Sequence, residues 1–130
     1  MVIDTSAYSA LKKGSKEVQA VFAGADIIVV PVVVIGELRY GFVNGTQIDQ
    51  NEETLQRFLA TEGIRSADVS MDTTMFYAEL YRHAQRNGKA LSFNDLWIAA
   101  LAKQLYMPLL TLDKDFVVLR SQLPAGLRLI

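Results

Sequence analysis

The stretch Ile27-Ile-Val-Val-Pro-Val-Val-Val-Ile35 constrains this chain most, because β-branched residues around a single proline leave it few places outside a buried core. Such side chains are stiff at χ1 and pack well on a pleated surface, so Asp26–Val30 reads as a strand covered on both faces. Pro31 then fits the first turn of a helix, where its missing N–H costs nothing; that helix is expected from about residue 32 to 43, ending at Asn44-Gly45. The apolar stretch is far short of the roughly 20 residues that span a bilayer, so no membrane association is expected.

Elsewhere short apolar runs alternate with helical periodicity. Val2-Ile3 reads as a strand ending at Asp4, followed by a helix through Leu11 that halts at Gly14 and a second helix over residues 15 to 23. An amphipathic helix is expected near residues 50 to 62, and Ile64–Val69 is a weaker strand candidate. Asp72 is placed to cap a long helix whose Met75, Phe76, Leu80 and Ala84 recur at helical spacing up to Asn87-Gly88. Ser92 opens the next helix, which is apolar nearly all round from Leu96 to Leu105. Leu109–Thr111 is a strand leading to Asp113, and Leu127–Ile130 adds an edge strand. Alternation of this kind implies an α/β fold, a central mostly parallel sheet between helical layers, and 130 residues fit one domain spanning 1–130. With no cysteine, disulfides and thiolate metal sites are excluded; with no basic, long apolar leader, the expected location is cytoplasmic.

In parallel α/β sheets the informative residues follow the strands directly, and here they are acidic. Asp4 ends the first strand and Asp113 a later one, while Glu37 and Asp95 sit near the starts of apolar helices. Capping of the following segment accounts for Asp4 and Asp113 as well as chemistry does, and Ser92-Phe-Asn-Asp95 fits a capping box. Glu37 is harder to explain structurally. Its neighbours are apolar and no basic side chain stands four residues away, so burial demands a compensating charge from Arg39 or from a cation. Four carboxylates gathered together repel one another unless cations neutralise them, and hard oxygen donors suit Mg²⁺ or Mn²⁺. Such ions activate water for in-line attack on phosphorus. The net charge of −1 is low for a nucleic-acid binder, yet setting four of the 14 acids aside leaves ten against 13 basic groups.

Taken in order, Val-Ile-Asp4-Thr-Ser, Glu37-Leu, Asn94-Asp95-Leu-Trp-Ile-Ala-Ala-Leu-Ala and Leu-Leu-Thr-Leu-Asp113-Lys-Asp115-Phe resemble the PIN-domain ribonucleases, and among them the VapC-type toxins. The resemblance covers nearly the whole chain. It implies a three-layer α/β/α sandwich and a magnesium- or manganese-dependent endoribonuclease. Its metal ligands map to Asp4 and Asp95, with Glu37 and Asp113 completing the acidic pocket and Asp115 as the alternative to Asp113. Thr5, Ser6 and Asn94 lie beside them as polar support. It further implies an RNA substrate, a homodimer and silencing by a cognate VapB-type antitoxin.

Two other functions share some of these features. A receiver-like signalling domain also gathers acids around Mg²⁺, but Asp4 has no adjacent acid, and Lys114 follows the late strand only beside Asp113. A non-catalytic binding module with the same fold would bind no Mn²⁺. Of the remaining residues, His83 is expected to pack or be exposed, Trp97 to pack between helix and sheet, and Tyr77, Tyr81 and Phe76 to lie in the helix core or at a dimer contact. Lys12, Lys13, Lys16, Arg39, Arg82, Arg86 and Lys89 are candidates for phosphate contact.

Overall fold

The computed structural model describes all 130 residues. In chain order the elements are β1 (Val2–Ile3), α1 (Thr5–Lys12), α2 (Lys16–Ala23), β2 (Ile28–Pro31), α3 (Val32–Val43), α4 (Ile48–Leu59), β3 (Ile64–Ala67), α5 (Thr73–Arg86), α6 (Phe93–Gln104), β4 (Leu109–Thr111), a 3₁₀ segment (Lys114–Gln122) and β5 (Leu127–Leu129). The five strands form one sheet in the order β3-β2-β1-β4-β5, and every pairing is parallel. Helices cover both faces, giving the expected three-layer sandwich. A receiver-like sheet runs 2-1-3-4-5, so the order found here removes that reading.

β1 is only two residues long yet lies at the centre, with Val2 level with Val29 on one side and Leu109 on the other. Val2, Ile3, Val30, Leu109 and Leu110 are fully buried, each contributing on the order of 1.5–3 kcal/mol of hydrophobic stabilisation. On α1, α2 and α4 the rings of Tyr8, Phe22 and Phe58 meet edge to face. No helix is long and apolar enough to cross a membrane.

Four local expectations differ from the structure. Pro31 is the last residue of β2 and stands just before α3 with extended backbone (ψ 142°); its fixed φ of −57° serves strand end and helix entry alike. Asp72 makes no capping hydrogen bond because its own backbone is already helical; Thr73 Oγ1 instead accepts from the Ser70 N–H at 2.9 Å. Met75 is 67% exposed, since α5 turns its buried face, Leu80 and Ala84, toward the core one position further round. Trp97 packs helix to helix, stacked on Tyr77 of α5 with ring centres 3.9 Å apart, rather than against the sheet.

Gly63, at the entry to β3, has φ +83°, and a Cβ there would stand 3.0 Å from the Asp26 carbonyl oxygen, so both conformation and space require glycine. That turn brings the Gly63 carbonyl within 2.9 Å of the Ile28 N–H and sets the register of β2 on β3.

Candidate metal centre

Because the strands are parallel, the carboxyl ends of β1 and β4 lie side by side, and the Asp4 N–H reaches the Leu110 carbonyl at 3.3 Å. Asp4 is only 4% exposed. Its Oδ1 caps α1 by accepting from the Ala7 N–H at 2.9 Å. The Ser6 hydroxyl donates to it at 2.7 Å, and the Thr111 hydroxyl donates to Oδ2 at 2.6 Å. A carboxylate has about four lone-pair positions, so three donors fix it and leave about one free. Burial pushes the Asp4 carboxyl above its ordinary range; hydrogen bonds from Thr111, Ser6 and Ala7 pull against that, and nearby Asp113 adds to the rise.

The hydroxyls tie the two strand ends together. Thr111 Oγ1 also accepts from the Asp113 N–H at 2.9 Å, and Ser6 Oγ from the Leu112 N–H at 2.9 Å. Thr111, fully buried, is the residue the sequence reading missed; its signal was its place one residue before the Leu112-Asp113 pair, masked by the ordinary preference of threonine for strands. Asp113 caps the 3₁₀ segment through the Asp115 N–H at 2.8 Å. The Asp115 carboxylate turns outward to Lys89 at 2.7 Å, so of the two candidates Asp113 is the one directed at the other acids.

Glu37 lies in α3, where Thr5, the first residue of α1, donates to its Oε1 at 2.8 Å. Arg39 does not compensate it, being paired with Glu52 at 2.6 Å on the outer face. Asp95 is in the first turn of α6, and its N–H bonds to the Ser92 hydroxyl at 3.1 Å, the capping contact read from the sequence. Its carboxyl is pushed up to about 6, first by burial, against a lowering from Ser92, then by Asp113, Glu37 and Asp4 in turn. Asp4 and Asp113 are linked through the Thr111 hydroxyl, Glu37 is bonded to Thr5 next to Asp4, and Asp95 lies near enough to feel the charge of all three. Asn94 is exposed beside Asp95.

No three acidic side chains stand close enough together to hold a metal ion by themselves. Repulsion spreads uncompensated carboxylates, and Mg²⁺ takes one or two of them directly while keeping several waters. The donor set fits such an ion: it is entirely oxygen, the neighbouring acids add to the rise that burial causes at Asp95, and the three ion pairs of the chain all lie outside it. His83 plays no part here, since its Nε2 lies 3.0 Å from the Val118 carbonyl.

Comparison with known proteins places the chain in a family. The PIN domain family model matches residues 1–121. The ribonuclease VapC5 of Mycobacterium tuberculosis is 30% identical over 118 residues, covering 91% of this chain and 86% of that protein. Among solved structures, the VapBC2 complex of Rickettsia felis on a DNA fragment from its promoter superposes with a TM-score of 0.79 at 26% identity, over 99% of this chain and 96% of that one. The VapBC-5 toxin-antitoxin structure of Mycobacterium tuberculosis gives 0.78 at 26% identity, over 99% and 97%.

Proposed function

This chain belongs to the PIN-domain family, and from that premise we propose that it is an endoribonuclease dependent on Mg²⁺ or Mn²⁺, the toxin half of a toxin-antitoxin pair. The observation that carries the proposal is the meeting of carboxylates from β1, α3, α6 and the end of β4 at one sheet edge, served by hydroxyl donors and by no basic side chain.

In this reading Asp4 and Asp95 hold the cation, with Glu37 and Asp113 completing the pocket. Held there, a divalent ion would supply a water of lowered pKa and positive charge for the phosphodiester. The chain's own contribution is positioning. Asp4 is held in one orientation by Ala7, Ser6 and Thr111, with about one lone pair left for a cation. Thr5 holds Glu37 through Oε1, leaving Oε2 to orient the attacking water and accept its proton. Asp113, tied down by its capping bond, sets the far wall.

VapC5 supports the ribonuclease assignment, and the VapBC complexes support a VapB-type antitoxin as partner; a homodimeric toxin is part of the proposal. The test is cleavage of RNA by the purified chain in Mn²⁺. Asp4→Asn and Asp95→Asn are each expected to abolish cleavage while leaving the far-ultraviolet dichroism unchanged. Cleavage retained by both variants refutes the proposal.

A further inference from the structure

The acidic pocket repels the phosphates it is proposed to cut, so affinity for RNA has to come from another part of the surface. A groove of about 570 Å³ runs along the seam of α5 and the 3₁₀ segment and is bordered by Met75, Ala78, Glu79, Arg82, His83, Arg86 and Gln122. Arg82 and Arg86 are one helical turn apart, which sets their Cβ atoms about 5–6 Å from each other on one face. Neither has a carboxylate within ion-pair distance; the three pairs of the chain are Arg39–Glu52, Lys89–Asp115 and Lys103–Glu79. Glu79, the one acid bordering the groove, is already held by Lys103 at 2.9 Å. His83 is turned to the Val118 carbonyl and closes the floor between α5 and the 3₁₀ segment. The groove therefore presents two free guanidinium forks, a geometry suited to bidentate phosphate binding.

Its position connects it to the chemistry. Three residues past Arg86, Lys89 pairs with Asp115, whose N–H is the one that Asp113 accepts. The end of α5 that carries Arg86 is thereby tied to the start of the 3₁₀ segment, which Asp113 caps. We propose that this groove seats the RNA backbone flanking the cleaved bond, with Arg82 and Arg86 each holding a phosphate. The inference rests on the ribonuclease reading above. An acidic protein segment is the competing occupant, but only two of the seven bordering residues are apolar, which gives a peptide little to bury.

The experiment follows the anisotropy of a fluorescein-labelled single-stranded RNA in EDTA, where binding is read without cleavage. Arg82→Ala/Arg86→Ala is expected to bind at least about tenfold more weakly, with the slope of log K against log[salt] shallower by about 1.4, the value for two lost phosphate contacts on a single strand. Lys13→Ala/Lys16→Ala removes the same charge beyond the end of α1 and is expected to lower affinity less than about threefold. Unchanged affinity and slope in the arginine variant overturns the inference, as does equal weakening by both variants. Retained RNA binding with a changed oligomeric state, or with loss of binding to a polyglutamate peptide, also overturns it and marks the groove as a protein interface. The ribonuclease reading is checked separately: if wild type and Asp4→Asn both fail to cleave the same RNA in Mn²⁺, that reading falls, whereas cleavage with unchanged arginine-variant affinity removes the groove alone.

Discussion

Replacing Thr111 by valine keeps the shape of a fully buried side chain and deletes one hydroxyl, which both donates to Asp4 Oδ2 at 2.6 Å and accepts from the Asp113 N–H at 2.9 Å. A hydrogen bond to a charged acceptor contributes about 1.5–3 kcal/mol, and a half-buried N–H left without a partner costs about 1 kcal/mol more. The expected loss near pH 8 is about 2–4 kcal/mol, a large share of the roughly 5–15 kcal/mol that holds a domain together. The pH dependence separates this cause from simple repacking. The folded-state pKa of Asp4 stands above its unfolded value, so folding takes up a proton between the two and stability falls as pH rises through that window. Without the Thr111 donor the folded value climbs further, the window widens, and the deficit of the variant grows with pH. Nearer pH 4 a larger share of Asp4 is protonated in the native state than at pH 8 and the missing bond is to that extent a neutral one, so the loss is smaller there. Urea unfolding followed by fluorescence of Trp97, the only tryptophan, measures both values. An equal loss at pH 4 and pH 8, or none at pH 8, refutes the assignment of Thr111 as the hydroxyl that makes the Asp4 charge tolerable.

Asp95 gives a related prediction with the opposite benefit from mutation. Its folded-state value of about 6 lies above the ordinary carboxylate range, so ionising it costs stability as pH rises from about 4 to 6. Asp95→Asn removes that cost, and in EDTA at pH 7.5 the variant is expected to be more stable by on the order of 1 kcal/mol, reduced from the full shift because the group is half exposed and screened; urea midpoints that coincide at pH 7.5 argue against it. Mn²⁺ at about 100 times its dissociation constant should stabilise the wild-type chain by about 2.7 kcal/mol in thermal unfolding, with no shift in an Asp4→Asn/Asp95→Asn double variant. Asp113→Asn is expected to lower the rate of RNA cleavage at least about tenfold, and Asp115→Asn, whose partner is the exposed Lys89, by no more than about twofold; the reverse ranking would move the fourth acid to Asp115.

The fold was legible wherever burial dictates composition. β2 is readable because both of its faces are covered, and α6 because an almost wholly apolar helix has to lie against the sheet. The departures share a different cause. Met75 and Phe76 are adjacent apolar residues on α5, and a shift of about 100° in the facing direction, set by what α5 packs against, decides which is buried. Asp72 fits every compositional rule for a cap, but the hydroxyl of Thr73 reached the open N–H of the preceding turn instead. Trp97 faces α5 because the ring of Tyr77 offers it a flat partner. The outcomes at Met75 and Trp97 are set by partners more than one turn away along the chain, whereas the one at Asp72 is decided by its immediate neighbour.

The candidate site was legible for a related reason, and its ambiguity was physical rather than a weakness of reading. A strand that runs into a helix needs an acceptor for the open N–H groups of the first turn, and an acidic residue supplies it. Parallel strands put such junctions on one edge, so capping carboxylates collect at the place where a ligand binds. On the proposed reading Asp4 and Asp113 do both things. Each gives one oxygen to a helical N–H, and lone-pair capacity is left over for a ligand. Capping and cation binding do not compete for these residues: the cap fixes the carboxylate in the orientation that a cation needs, and Glu37, which caps nothing, needs Thr5 to do the same. An acid at a strand end that no hydroxyl or backbone N–H restrains is on this reasoning a poorer ligand, because binding would have to order it first.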